Sequence, residues 1–391
     1  MDKKPEKLVP EVRFKGFTDD WEQRKFDNVV KRINDKDDNP ELPHIEFENI
    51  ISGNGTLNKN IKNLNSKKIG TKFQKEDILF GKLRPYLKNW YFAKENGIAV
   101  GDFWVLRAKK ISVFVYYLIQ TEKFYSIANL SSGSKMPRSD WNLVSNSRFN
   151  FPENTIESIK IGNLILQFDK LITLQQRKLK QLNLLQRYIK EKTLPSQKEL
   201  PKLRFLTTPY NTYKFSELFK KSTKKNDEQI LQNHVISVAS MRWGKLPKSS
   251  SEAYMKTYFI FNKGDIAYEG NRSKSYSFGR FVANDLGNGI VSHVFSVFNS
   301  KINFNLEFLK NYINSEQVMR DPLRMSTSRT TMMTNLVLKD IAKQTLMIPS
   351  KDEQDLLGSL YKITQSMIEL NEKQQQELIY LKKYLLQKLF I

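Results

Sequence analysis

Apolar positions fall into two long periodic stripes, each preceded by a stretch of short mixed runs. Alternating steps of four and three residues pick out Leu164, Phe168, Leu171, Gln175, Lys178, Leu182, Leu185 and Ile189. The same spacing returns at Leu360, Thr364, Met367, Asn371, Gln374, Leu378, Leu381 and Leu385. Such spacing keeps one face of an α-helix and predicts long helices over 157–194 and 352–391. Pro152 and Pro349 lie just upstream, Glu157, Asp352 and Glu353 suit the positive end of a helix, and Pro195 stops the first one. A helix of about 38 residues is about 57 Å long, too long to be buried in one small domain, so each is expected to be a rod that needs a partner. Both stripes turn polar midway, at Gln175 and Lys178 and at Asn371 and Gln374. Pairing would bring these layers together and fix register by hydrogen bonds. Parallel and antiparallel pairing both align them; connectivity through a short linker, 195–203, favours antiparallel. An ordinary amphipathic helix on its own domain is the plainer alternative.

The stretches before the rods, 1–156 and 204–351, are broken by Gly, Asn, Ser and Pro and read as strands and loops with a few helices, two compact α+β domains. They repeat one another. PEVRF at Pro10 returns as PKLRF at Pro201, an offset of 191, and FQKEDILFGK at Phe73 returns as FNKGDIAYEG at Phe261, an offset of 188. The segment Ile161 to Leu194 aligns without a gap to Leu357 to Phe390, matching Gly162 with Gly358 and Ile172 with Ile368. A drifting offset is what loop insertions between equivalent cores produce. The chain is therefore two half-proteins in tandem.

Charge then narrows the partner. The 391 residues carry 64 Lys plus Arg against 41 Asp plus Glu, a net of +23, more than solubility requires. Residues 51–150 hold 17 against 6 and residues 201–350 hold 22 against 11, a net of +11 each, whereas 351–391 hold 6 of each. The basic excess thus belongs to the two compact domains, and two basic bodies on a spacer suit a long polyanion, double-stranded DNA first. Neither rod has the basic face of an interfacial helix, so no membrane partner is expected. The opening MDKKPEKLVPEV lacks a signal core, the longest apolar run is Val113 to Ile119, and a cytoplasmic location is expected. With no cysteine, thiolate metal sites and thiol nucleophiles are excluded.

Basic residues cluster among glycines and small hydroxyl residues. GKLRPYLK offers Lys82, Arg84, Tyr86 and Lys88, and SSGSKMPR offers Lys135 and Arg138. The second half offers Arg242, then Asn271, Arg272, Lys274 and Arg280 in GNRSKSYSFGR, and Arg329 and Thr330 in STSRTT. Arg and Asn read base edges; Lys, Ser and Thr mostly hold phosphates. For any single residue a solvated surface charge is the competing account. The 12% aromatic content sits mostly in apolar runs and is expected in cores rather than against bases. His44 and His234 occupy equivalent positions and are expected to be structural, His293 reads as a strand histidine, and no metal-ligand spacing occurs. Phosphate-loop, GxGxxG and GxSxG signatures are missing. Asp265 and Glu269 form no repeated carboxylate pair, since they align with Asp77 and Gly81. The chain reads as a binder with no catalytic residue.

Taken together, PEVRFKGFTDDWEQRKF, ILFGKLRPYL and the paired endings Ile161–Leu194 and Leu357–Phe390 make the chain resemble, over essentially its whole length, the specificity subunits of type I restriction-modification systems. The resemblance implies two tandem target recognition domains, 1–156 and 204–351, each followed by a long spacer helix, the helices pairing as an antiparallel coiled coil with pseudo-twofold symmetry. It implies that each domain reads one half of a split, asymmetric DNA site. It further implies docking of two methyltransferase subunits and of restriction subunits, which would carry S-adenosylmethionine, ATP and Mg; no cofactor is expected in this chain. Leu164, Phe168, Leu171, Gln175, Leu182, Leu185 and Ile189 would face Leu360, Met367, Asn371, Leu378, Leu381 and Leu385. A non-enzymatic adaptor that holds nucleic acid without sequence preference, or a stand-alone regulator without a methyltransferase, is the competing class. If the rods set the distance between half-sites, inserting a few residues into one should change the unread gap and leave the bases read unchanged. A map of modified sites checks this, and an unchanged gap contradicts the ruler.

Overall fold

The computed structural model describes residues 9–64, 66–130, 136–226, 234–244, 252–329 and 333–391. The chain divides into two compact units, Met1–Gln176 with Lys373–Ile391, and Arg177–Glu372.

In the first unit the principal strands are β1 (Glu22–Lys25), β2 (Val30–Ile33), β3 (Gly70–Phe73), β4 (Ile78–Gly81), β5 (Trp90–Phe92), β6 (Gly97–Ala99), β7 (Phe103–Ala108) and β8 (Arg148–Phe151), with shorter ones at Lys36–Asp37, His44–Ile45, Ile50–Ile51 and Thr56–Leu57. Helices α1 (Ser112–Leu118) and α2 (Glu122–Ala128) lie between β7 and β8, and the long α3 (Thr155–Thr193) follows β8. The main sheet is antiparallel with order β2-β7-β4-β5, and β1 pairs with β8. Every residue of β4 is buried, as expected of the apolar run ILFG between two neighbours. The apolar run Val113–Ile119 forms α1 and the residue after it, with Phe114 to Ile119 all buried; so short a run does not tell helix from strand by its pattern. Phe26 packs against Phe124 and Phe149 with ring centroids 5.5 and 5.6 Å apart, so much of the aromatic content is indeed core. Ile161 and Ile165 of α3 enter this core, and so do Leu389 and Phe390.

The second unit contains β9 (Asn211–Lys214), β10 (Phe219–Lys221), β11 (Phe259–Phe261), β12 (Ile266–Glu269), β13 (Arg280–Ala283), β14 (Gly289–Val291), β15 (Ser296–Ser300) and β16 (Thr345–Ile348). Helices α4 (Leu306–Ile313) and α5 (Glu316–Ser326) precede β16, and the long α6 (Lys351–Lys388) follows it. The main sheet order is β10-β15-β12-β13, β9 pairs with β16, and β11 pairs with β14. The main sheet has the strand order of the first unit's main sheet. Leu194, from just beyond the end of α3, is 1% exposed in this unit's core beside Phe215, Phe308 and Tyr312.

The repeated motifs have local causes. Glu157, in the first turn of α3, is 1% exposed and takes two bonds from the Arg13 guanidinium, at 2.7 and 2.9 Å. Its counterpart Glu353 is equally buried and accepts the backbone N–H groups of Phe205 and Leu206 at 2.9 and 2.8 Å. Each PxxRF segment is thus tied to the start of a long helix. A Cβ on Gly162 would stand 2.6 Å from Val113 Cγ1, and one on Gly358 would stand 2.2 Å from Asn305 Oδ1. Only glycine permits the close approach of each long helix to the neighbouring short one. Asp77 and Asp265 both cap the turn before their strand, accepting from Gln74 N at 2.7 Å and Asn262 N at 2.8 Å.

The stripe along the helices differs from the expected frame by one residue. Positions 168, 175, 182 and 189 lie on the more covered side of α3, but Leu171 is 46% and Leu185 47% exposed. Ile165 and Ile172 are buried in their place. In α6 the residues Met367 and Leu381 are similarly exposed, while Tyr361 and Ile368 are buried. Leu164 and Leu360 are half-buried, beside the buried Ile165 and Tyr361. The reason is that adjacent apolar pairs, Leu164 with Ile165 and Leu171 with Ile172, fit two frames that share every seventh position. Packing of the first turns on the neighbouring core decides between them. His293 is not on a strand: the apolar run around it serves two strands of different sheets, and the turn between β14 and β15 holds it exposed. Glu157→Ala should leave Arg13 without its buried partner and cost about 3–5 kcal/mol. The urea midpoint reports this, and an unchanged midpoint would contradict the anchoring role.

Candidate nucleic-acid interface

In each unit the loop after a buried central strand meets a segment distant in sequence, and the basic clusters lie on these two pieces. In the first unit the loop that follows β4 is bound to 137–139. Arg84 N–H donates to Pro137 O at 2.7 Å, Ser139 N–H donates to Lys82 O at 2.8 Å, and Leu83 bridges Arg138. In the second unit the loop that follows β12 is bound to the hairpin strand Thr334–Leu336: Thr334 N–H donates to Gly270 O at 2.9 Å and Asn271 bridges Met333. Arg329 is exposed on the partner strand of that hairpin, Thr327–Arg329. Lys135 and Thr330 lie outside the described residues.

The side chains at these loops divide into committed and uncommitted charges. Arg138 donates to Asp102 Oδ2 at 2.9 Å, and Lys82 Nζ lies 3.6 Å from Asp102 Oδ1, so one carboxylate partly neutralises both. Nothing in the sequence pointed to Asp102. Lys88 is exposed, its Nζ 5.5 Å above the ring of Tyr125, whose phenol is pushed up by burial and stays neutral. Arg84 is half-buried and Tyr86 is 55% exposed. In the second unit Arg272 and Lys274 are exposed, as is Arg242 on the short strand Arg242–Trp243. Asn271 reaches the buried Glu269, its Nδ2 3.4 Å from Oε1.

Arg280 departs from the expectation of a free DNA contact. Its Nε donates to Glu269 Oε2 at 2.6 Å, its Nη2 to Ala239 O at 2.8 Å, and its guanidinium lies 5.1 Å over the Tyr276 ring. Glu269 is 4% exposed, and a carboxylate so buried requires a cation, which is the work of Arg280. Asp265 is likewise occupied, by Asn262 and by Asn299 Nδ2 at 2.9 Å. Burial raises its carboxyl above the ordinary Asp range. No group of three or more His, Asp or Glu among the described residues is placed to hold a metal ion.

Solved structures match the fold over nearly the whole chain. The HsdS subunit from Thermoanaerobacter tengcongensis is 17% identical, with a TM-score of 0.50, over 99% of this chain and 98% of its own. The type I restriction-modification S subunit from M. genitalium is 14% identical with a TM-score of 0.59, over 98% and 99%. A chain from a type I restriction-modification system, solved for its complex assembly and conformational transition, gives 16% and 0.57 over 97% and 98%. The chain has the fold of type I restriction-modification S subunits. No family model matches the sequence, and no curated protein matches it either. At this identity the S-subunit likeness is one of fold. The S-subunit fold is mixed helix and sheet, and no helix among the described residues of this chain is long and apolar enough to cross a membrane.

The distinction between committed and exposed charge is testable. Arg272→Ala with Lys274→Ala should leave thermal stability unchanged and, for a DNA-binding chain, flatten the salt dependence of binding by up to about two in slope. Arg280→Ala should instead lower stability by about 3–5 kcal/mol by stranding Glu269. Anisotropy titrations over a salt series and thermal melts separate the two outcomes.

Proposed function

We propose that the chain is the sequence-specific DNA-binding subunit of a type I restriction-modification complex. The observation that carries the reading is the match of S-subunit folds over nearly the full length of both chains. On this reading residues 1–156 and 204–351 are tandem target recognition domains, each reading one half of a bipartite, asymmetric site in double-stranded DNA. The excess of +11 in each basic segment supports a duplex partner.

The long helices pair as an antiparallel coiled coil. In the first unit Asp169 pairs with Lys382 at 2.6 Å and Gln175 Nε2 donates to Gln374 Oε1 at 3.4 Å; in the second Gln186 Nε2 donates to Gln365 Oε1 at 2.9 Å, and Thr193 Oγ1 lies 2.7 Å from Tyr361 Oη. As the number rises on one helix it falls on the other, which supports opposed directions. The helices dock two methyltransferase subunits, and restriction subunits join them in the cytoplasm. The chain supplies recognition and no catalytic step. Adenine methylation with S-adenosylmethionine, and DNA translocation and cleavage with ATP and Mg, belong to the partners.

A genome-wide map of N6-methyladenine in cells carrying the matching methyltransferase, with and without this chain, tests the reading. A split motif that appears only with the chain is expected. No chain-dependent motif, with the methyltransferase expressed and assembled, would favour an adaptor that binds nucleic acid without sequence preference.

A further inference from the structure

We infer that the turn Pro85–Leu87 of the first unit is a wedge that enters a base step of bound duplex DNA, with Tyr86 stacking on the opened base. The inference rests on the DNA-reading proposal and adds how one half-site is read. The turn is bracketed by Arg84 at φ 48° and Lys88 at φ 57°, both left-handed and neither glycine. Side chains adopt that region only when the surroundings impose it, and such strain concentrates at binding sites. Here the surroundings are visible. Arg84 N–H is held by Pro137 O at 2.7 Å, Lys88 O accepts from Gly53 N–H at 2.9 Å, and Gly81 N–H donates to Asn89 O at 2.7 Å. Pro85 is buried at the root of the turn.

The clamp has one effect on the side chains. Tyr86 is 55% and Leu87 41% exposed, two adjacent large residues held out at the tip of a rigid turn. An occupant that covers them would gain by removing their apolar surface from water. Arg84, Lys88 and the Lys82–Arg138 pair, which shares the single carboxylate of Asp102, leave this loop and its neighbour net positive, so the occupant is anionic as well as able to receive an aromatic ring. Duplex DNA satisfies both demands: apolar and aromatic wedges unstack a base step while flanking cations hold phosphates. The loop after β12 in the second unit, at the equivalent place, exposes Arg272, Ser273 and Lys274 instead. The first domain would therefore read shape and deformability at a step where the second offers polar contacts.

The test uses the full chain assembled with its methyltransferase and a duplex bearing the mapped motif, with 2-aminopurine placed at successive steps. Wild type should raise the fluorescence several-fold at one step of one half-site. Tyr86→Phe should keep that signal, whereas Tyr86→Ala should lose it and bind about tenfold more weakly, with an unchanged melting temperature. Arg272→Ala with Lys274→Ala should leave the signal in place. No signal at any step, or a signal retained in Tyr86→Ala, overturns the wedge while a chain-dependent motif still stands for the specificity reading. Loss of methyltransferase copurification in Tyr86→Ala would assign the tip to a protein partner and also overturn it. Absence of any chain-dependent motif overturns the specificity reading, and the wedge with it.

Discussion

Two buried glutamates, one in the first turn of each long helix, set how those helices leave their cores. Glu157 and Glu353 are each 1% exposed, so each must be answered by donors, and the donors come from the repeated PxxRF segments. Once that turn is fixed, Gly162 and Gly358 can lie against the neighbouring short helices, and Ile161 and Leu357 enter their cores. The azimuth of each helix is then no longer free. Which residues face outward along the rest of its length follows from a buried, hydrogen-bonded carboxylate and a glycine near its beginning.

What the two halves share is the place of a polar anchor rather than its chemistry. Glu157 is met by a guanidinium, Glu353 by two backbone amides. Asp77 caps its turn and also binds Arg107 through both oxygens, at 2.7 Å each; Asp265 caps the same turn but takes its second partner from the Asn299 amide. Losing the arginine leaves Asp265 with neutral donors only, and burial then raises its carboxyl. The fold tolerates the exchange because hydrogen bonds satisfy the carboxylate in both cases.

The long helices, the tandem repeat and the location of positive charge were legible in the sequence because each is spread over many residues, where single ambiguities average out. The helical frame was not. Leu171 and Ile172 are equally apolar, and only contacts distant in sequence reveal which is covered. The same limit applies to the candidate interface. The clusters at 82–88 and 270–280 were visible as composition, but whether an arginine is available depends on a partner such as Glu269 or Asp102, which no spacing discloses. The bracketing of Tyr86 by two left-handed residues was equally hidden, since neither is the glycine that signals such a turn.

Leu389 and Phe390 close the first core, where the Phe390 ring lies tilted 4.9 Å from that of Phe114, and Lys388 meets Glu11, 377 residues away in sequence. The second unit, by contrast, is one uninterrupted segment. The first core therefore includes residues made only after the whole of the second unit, whereas the second unit draws on no segment outside its own. Contacts so distant in sequence carry a large loop-closure cost, and the side of the aromatic core that Phe390 covers is shielded only once they are made.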